Sequence, residues 1–400
     1  MGLSIKVNKY SAYKILIILI IIFVPINLLK DLFPFPITLI NGGAILFVLL
    51  YLNVKHLKKK TVFIIMITTI LFVINIFVTN DLSRHFRYFF NWISLIYVLD
   101  FLSYSKNIDE LYMTYQKNHK SIKKLVIICW AIFGVLLLLP ACYSGGWWGL
   151  SGGFVAFTVS HAVAAAACTL GAISLFLWYD GKHNFIPFMC LAVAAYIILQ
   201  TGARTYVLSV AFLVLYYMHT MIKNPYVKSF IFIVAIVACV IIVPNSSFAE
   251  KNDIVMAYQD INGVSLLNAL TSGRTMIWAT DIKYYLSNGL YLFLFGNGFA
   301  TSYIANRTYY YGMDIFSHNL FVETLLSVGI VGSFILVYLL KVSIKNNLKK
   351  NSDKLLVFCY VILIGFLNGM MDSQIYCYSI IIVYLILKKK ELSVNNQITK

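Results

Sequence analysis

Runs of apolar residues long enough to cross a membrane recur from one end of this chain to the other. A helix needs ~20 mainly apolar residues to span a bilayer core. On that rule, spans fall near 14–31, 36–54, 61–79, 88–104, 125–142, 154–178, 185–203, 205–222, 229–245, 317–340, 355–371 and 375–388, the last being the shortest. Hydrocarbon offers no partner to a backbone N–H or C=O, so each run must satisfy its own, as a helix does. The expected fold is all-α, a polytopic integral membrane protein of about 12 transmembrane helices. Only 12% of residues are charged against 60% hydrophobic, a depletion that excludes a soluble domain. The first run, Leu16 to Leu29, lacks a small-residue cleavage site and is expected to remain as a span.

The segments between spans alternate in character. KHLKKK at 55–60, the segment 105–124, YDGKHN at 179–184, KNPYVK at 223–228 and the lysine-rich 341–354 share one side with both termini. That side holds 24 of the 32 basic residues and 6 of the 15 acidic ones. The positive-inside rule makes it cytoplasmic. The formal net charge of +17 is then an orientation signal, and no nucleic-acid partner is expected. The organisation read this way is nine spans over 1–244, an outer loop over 245–316, three spans over 317–388 and a cytoplasmic tail over 389–400.

Lysine supplies the whole inner surplus. All five arginines, Arg84, Arg87, Arg204, Arg274 and Arg307, lie on the outer side. Either cation would satisfy orientation, so something outside selects guanidinium, whose planar fork pairs two phosphate oxygens at once. Lipid headgroup contact is the plainer alternative. Arg204 sits in TGART, where one apolar run ends and the next begins, either in a site at the membrane boundary or snorkelling to it.

The outer loop is long enough to carry structure and function of its own. Ile277, Trp278, Ile282, Tyr285 and Leu286 recur at helical spacing, so Thr275 to Leu286 is expected to form a helix along the membrane surface. LYLFLF at 290–295 is too short to span and should re-enter or pack on the bundle. On the inner face, 105–124 reads as an interfacial amphipathic helix or a linker. YSGGWWGLSGG at 143–153 is either an aromatic belt or a platform for stacking sugars. The seven cysteines are scattered singly, with no Cys-x-x-Cys, and indicate neither a zinc site nor a disulfide framework.

Three histidines, His85, His161 and His318, can reach an outer substrate. Imidazole near neutral pH can take the proton of an attacking hydroxyl. His318 opens the tenth span, with Asn319 beside it and the intramembrane carboxylate Glu323 below. Five residues correspond to about 140° around a helix, so Glu323 cannot orient His318 along one face and could pair with an arginine instead. His161 lies within the sixth span and either contacts lipid phosphate or bonds a neighbouring helix. The outer face has no Asp-x-Asp or His-x-x-His, so neither a metal nor any other cofactor is expected.

From Ser272 to Gly332 the order is SGRTMIW, FGNGF, then SHNLFVETLLSVGIVG. Arginine followed by tryptophan, Gly-x-Gly, His-Asn, and Glu before Gly-Ile-x-Gly resembles the outer catalytic loop and following helix of the O-antigen polymerase and ligase family of membrane glycosyltransferases. The resemblance covers this stretch and the patch around Arg204. It implies a GT-C-like helical bundle in a bacterial inner membrane, with the site facing the exterior. It further implies an undecaprenyl-pyrophosphate-linked oligosaccharide as donor, transferred onto a sugar hydroxyl. His318 would be the general base, with Arg274 and Arg204 holding the pyrophosphate. Trp278, Arg307, Arg84, Arg87, His161, Asn319 and Glu323 would bind or support the substrate. The partners implied are the lipid-linked oligosaccharide, membrane lipid and a chain-length regulator protein. The SGR, FGNGF and HN pattern is closer to the polymerase branch. A ligase acting on the lipid A core, or a 12-span flippase, is the alternative.

Overall fold

The computed structural model describes residues 9–54, 59–144, 153–179, 185–222, 224–262, 268, 271, 273–309, 314–367 and 374–398. It is nearly all helical. The first helices are α1 (Lys9–Leu28), α2 (Ile37–Val54), α3 (Lys59–Val78), α4 (Leu82–Leu102) and α5 (Ser105–Leu138). A two-residue antiparallel pair, Tyr143–Ser144 with Gly153–Phe154, precedes α6 (Ser160–Trp178). Then come α7 (Phe185–Thr201), α8 (Arg204–Met221), α9 (Pro225–Ile242) and α10 (Ser247–Asn262). The loop elements α11 (Arg274–Leu286), α12 (Leu290–Phe295) and α13 (Thr301–Tyr309) lead into α14 (Leu320–Asn347). The chain closes with α15 (Asn351–Val357), a π-helical turn (Phe358–Leu363), α16 (Ile364–Leu367) and α17 (Gln374–Ile398).

Six of the described helices, α1, α2, α3, α5, α6 and α14, are long and apolar enough to cross a membrane. Phe185–Thr201 and Thr205–His219 are shorter apolar helices. The segment 105–124 is helical and continues unbroken into the next apolar run, making α5 34 residues long. Its polar half is held down by Asn107, Ile108, Leu111, Tyr112 and Tyr115, all buried.

The bundle is organised around α6. Its sequence, SHAVAAAACTLGAISLFLW, is rich in small residues and buried almost all round. Small side chains let helix backbones approach closely where no hydrophobic effect drives association. A Cβ on Gly171 would come within 3.2 Å of the Ala194 Cβ on α7. Buried hydroxyls find partners across helices: Tyr376 donates to the Tyr360 carbonyl at 2.7 Å and Tyr378 to that of Gly42 at 3.1 Å. In an apolar interior such groups cost several kcal/mol when left unsatisfied.

Ion pairs mark the two ends of the bundle. Lys9–Glu110 (3.2 Å), Lys60–Asp100 (3.8 Å), Lys388–Asp109 (2.8 Å) and Lys390–Asp353 (2.7 Å) gather at one end. Arg84 and Arg307 meet Asp314 at the other. Exposed pairs contribute only ~0–1 kcal/mol each. Their interest is that, among the described residues, each of these pairs joins segments that the charge pattern assigns to the same side.

The segment 245–316 holds more helix than its sequence periodicity indicates. Ser247–Asn262, Leu290–Phe295 and Thr301–Tyr309 are helical, and the helix expected over Thr275–Leu286 forms at Arg274–Leu286. The buried stripe of α11 is Ile277, Asp281 and Tyr285, whereas Ile282 and Leu286 are exposed. Apolar side chains therefore lie on both sides of this helix: Ile277 and Tyr285 flank the buried Asp281, while Met276, Ile282 and Leu286 are exposed beside Lys283. A helix resting on hydrocarbon has that arrangement.

Candidate functional site

The site lies where the segment Phe316–Asn319 enters α14, and its geometry begins with a break in that helix. Gly329 takes φ +63° and ψ −164° inside α14. The break frees the carbonyls of Leu326 and Ser327, and the FGNGF loop satisfies them. Asn297 N donates to Leu326 O at 2.8 Å and Gly298 N to Ser327 O at 3.1 Å. Asn75 Nδ2 adds a bond to Ser327 O at 3.0 Å. Two glycine motifs thus dock backbone on backbone. A Cβ on Gly296 would stand 2.3 Å from the Ser327 carbonyl carbon, and one on Gly329 would stand 2.4 Å from Leu294 O. His85 completes the dock, its Nδ1 accepting from Phe299 N at 2.9 Å among the rings of Phe72, Phe89 and Phe299. His85 is a structural histidine.

Four residues then fix the segment that carries His318. Trp278 Nε1 donates to Ser317 O at 2.7 Å. Asn306 Nδ2 donates to Ile315 O and to Asp281 Oδ1, each at 3.1 Å. The Ser317 hydroxyl lies 2.6 Å from Asp281 Oδ2 and 3.0 Å from Glu323 Oε2. Asn319 caps α14, its Oδ1 accepting from Phe321 N at 2.9 Å and Val322 N at 3.1 Å. Between these anchors His318 is held at φ +52°. A non-glycine residue in the left-handed region costs of order 1–3 kcal/mol and persists where its surroundings over-determine it. Such positions cluster at functional sites.

Because α14 begins at Leu320, His318 lies before the helix and not on it. The helical angle between His318 and Glu323 therefore has no meaning, and that expectation is corrected. Glu323 acts on Ser317, the residue before His318, and accepts from Ser327 Oγ at 3.2 Å through its other oxygen.

His161, at the start of α6, brings its ring within 6.4 Å of the His318 ring, centroid to centroid, and within 6.4 Å of Tyr206. Phe316 meets His318 edge-on at 5.6 Å and stacks on Tyr88 at 5.0 Å. Arg274 opens α11 and donates through Nη1 to the Leu367 carbonyl at the end of α16. Trp278, one turn on, packs on Phe366 at 5.1 Å. The Arg-to-Trp spacing puts both side chains against the same short helix end. Burial above all, then the neighbouring Arg274, His161 and Lys251, hold the His318 imidazole well below its ordinary range. These surroundings favour the neutral form of the ring.

The remaining arginines form a second group. Arg84 forks the Asp314 carboxylate with bonds of 3.1 and 2.9 Å and lies over the Tyr303 ring at 4.3 Å. Arg307 donates to the same carboxylate at 2.8 Å. Arg87 is exposed, 5.7 Å from the Tyr88 ring. Tyr303 and Tyr88 join hydroxyls at 2.6 Å, so this group braces the site through Phe316 without entering it. Arg204 begins α8; its backbone is described and its side chain lies outside the described residues, as do Trp147 and Trp148.

Sequence reasoning missed Asp281, Ser317, Asn306 and Lys251. Asp281 carried a usable signal, being a carboxylate midway between Ile277 and Tyr285 on one helical stripe. Lys251 is one of only three lysines on the arginine side of the chain. Among the described residues no group of three or more His, Cys, Asp or Glu side chains could hold a metal ion. Comparison with protein-family models, curated proteins and solved structures finds no match for this chain.

Proposed function

We propose that this chain is an outer-leaflet glycosyltransferase of about 12 spans that polymerises lipid-pyrophosphate-linked oligosaccharide repeats. The observation that carries the reading is the convergence of Arg274, His161 and a strained, neutral His318 at the arginine end of the bundle. Sequence order and motif pattern select the donor class; geometry supports the division of labour. The acceptor sugar hydroxyl attacks the anomeric carbon while His318 takes its proton. The bond from that carbon to the pyrophosphate breaks, and the electron pair leaves with the lipid pyrophosphate. Arg274, Arg204 and Lys251 hold the charge that develops there, in place of a divalent metal.

In the empty site Arg274 and Lys251 disfavour imidazolium, so His318 is a weak base. A bound pyrophosphate offsets those charges and raises the His318 pKa towards the range where proton transfer is efficient. In the free protein the pKa is lowered, so the acid limb of kcat/KM should lie below ~6.5, the ordinary histidine value. The acid limb of kcat, which reports the bound state, should lie at higher pH than that of kcat/KM. Coincident limbs would remove the donor from the neighbourhood of His318.

Arg274→Lys tests the fork. It keeps the charge and loses bidentate geometry, so donor KM should rise and kcat fall together, by ~10-fold or more in kcat/KM. An unchanged kcat/KM would remove Arg274 from the donor site.

Topology is tested separately. In a cysteine-free background, a cysteine at Asn262 should react with an impermeant reagent on intact cells and one at Asn396 should not. The opposite result would invert the protein and sink an outer-leaflet reaction.

A further inference from the structure

Behind His318 lie two buried carboxyl groups with a serine hydroxyl between them. Asp281, Ser317 and Glu323 have no exposed surface. Ser317 Oγ is 2.6 Å from Asp281 Oδ2 and 3.0 Å from Glu323 Oε2. A serine hydroxyl has one proton to give. It can donate to one of these carboxyls and must accept from the other. A carboxylate has no proton to donate, so one of the pair is a neutral acid.

The donors fix which oxygens face the shared hydroxyl. Glu323 receives Ser327 Oγ on Oε1, and its Oε2 is the acceptor left for the Ser317 proton. Asp281 receives Asn306 Nδ2 on Oδ1, which leaves Oδ2 as the end that bears a proton. Its 2.6 Å contact with Ser317 falls in the short range of O–H···O bonds.

We propose that Asp281 is a neutral carboxylic acid in the working protein, and that the directed chain Asn306 to Asp281 to Ser317 to Glu323 is the positioning device that sets His318. The proposal rests on His318 being the base. Asp281 and Glu323 are positioning residues, acting on the reaction only through the Ser317–His318 backbone. Trp278 grips the Ser317 carbonyl while this chain grips its hydroxyl, so residue 317 is held on two sides and His318 takes up the strained φ that follows.

Charge around Asp281 agrees with the geometry. Burial pushes Asp281 up to about 8, and Glu323 on α14 adds to the rise, while the bonds from Ser317 and Asn306 oppose it. On α13 the facing group is Asn306, and the neighbouring Arg307 is held by Asp314. α12 contributes Tyr291 as its sole ionisable residue, and Lys283 on α11 is exposed. Because this pKa is raised, the proton is present below about pH 8 and lost above it. The chain then has two carboxylates facing one hydroxyl proton.

Two measurements on the full-length protein in detergent test this, and only the second needs activity. Infrared titration should show the carbonyl stretch of a protonated carboxylic acid at neutral pH, disappearing as pH rises through about 8. The band should be absent from Asp281→Asn and present in Glu323→Gln. No band, or a band lost in Glu323→Gln and kept in Asp281→Asn, overturns the assignment. In the transfer assay, Asp281→Ala and Ser317→Ala should lower kcat by ~10-fold or more with little change in donor KM. The conservative Asp281→Asn should restore kcat to within about threefold of wild type, since its amide donates to Ser317 and accepts from Asn306. It should also abolish the alkaline fall in rate. If Asp281→Asn is as impaired as Asp281→Ala while eluting as a monodisperse folded protein, an ionised Asp281 is required and the positioning role fails. A wild type that transfers no sugar would defeat the glycosyltransferase reading, and the infrared result would still decide where the proton sits.

Discussion

Replacing His318 by alanine is expected to lower chain transfer roughly 10²–10⁴-fold while leaving binding of the lipid-linked donor nearly intact. The imidazole acts on the acceptor hydroxyl, and the donor's charge is held by Arg274 and its neighbours. Alanine confounds two effects, because position 318 sits at φ +52°, where a side chain without local hydrogen bonding is disfavoured. His318→Asn separates them. Asparagine tolerates the left-handed region well and cannot serve as the base. It should therefore be as inactive as alanine while melting at nearly the wild-type temperature. His161→Ala should do much less, since that ring stands 6.4 Å from His318 as a neighbour. Donor binding and single-turnover transfer, measured separately, distinguish a base from a donor contact. If His318→Asn abolishes donor binding while transfer per bound donor stays normal, His318 is a phosphate contact and the base is His161.

The helical, membrane-compatible character was legible because hydrocarbon imposes one rule, that backbone groups be satisfied within an apolar segment, and six of the described helices meet it by length and composition. Arg274, Trp278 and His318 were singled out by the order of their motifs, SGRTMIW before SHN, and the fold brings Arg274 and Trp278 to one short helix end and Trp278 to the Ser317 carbonyl. What was not legible depended on where helices begin. The angle between His318 and Glu323 assumed a helix that in fact starts two residues later, at Leu320. The spacing on α11 marked Ile277, Trp278, Ile282, Tyr285 and Leu286 as one apolar stripe, whereas the buried face holds Asp281 between Ile277 and Tyr285 and leaves Ile282 and Leu286 exposed. In water an apolar stripe marks the protein side of a helix; beside lipid apolar side chains stand on either side. Helix Ser247–Asn262, SFAEKNDIVMAYQDIN, has no clear apolar face, so its existence and the position of Lys251 were hidden. Pairing was hidden too. Five outer arginines suggested phosphate, yet Arg84 and Arg307 are engaged by Asp314, a residue with no sequence signal at all.

The Gly-x-Gly motif makes the sharpest contrast between a site residue and a support. Glycine pairs near a phosphate usually clear room for the ligand. Here Gly296 and Gly298, at φ +83° and +86°, turn the FGNGF loop so that its N–H groups meet the carbonyls released by the break at Gly329. The substitution Gly296→Ala would put a methyl 2.3 Å from the Ser327 carbonyl carbon, and backbone on both sides leaves nothing flexible to move. The backbone here, φ +83° and ψ 172°, is essentially confined to glycine and costs an alanine of order 1–3 kcal/mol. With the overlap added, the loss should exceed about 3 kcal/mol, placing it in the rare severe tail of single substitutions. Gly289→Ala is the control, because a Cβ there meets nothing within 4 Å. The expected result is a large drop in melting temperature and in yield for Gly296→Ala and almost none for Gly289→Ala. Donor affinity of whatever Gly296→Ala protein remains folded should be close to wild type. A Gly296→Ala protein of normal stability that has lost donor binding would show the loop to be a phosphate cradle, and two glycine motifs docked backbone on backbone would no longer explain its shape.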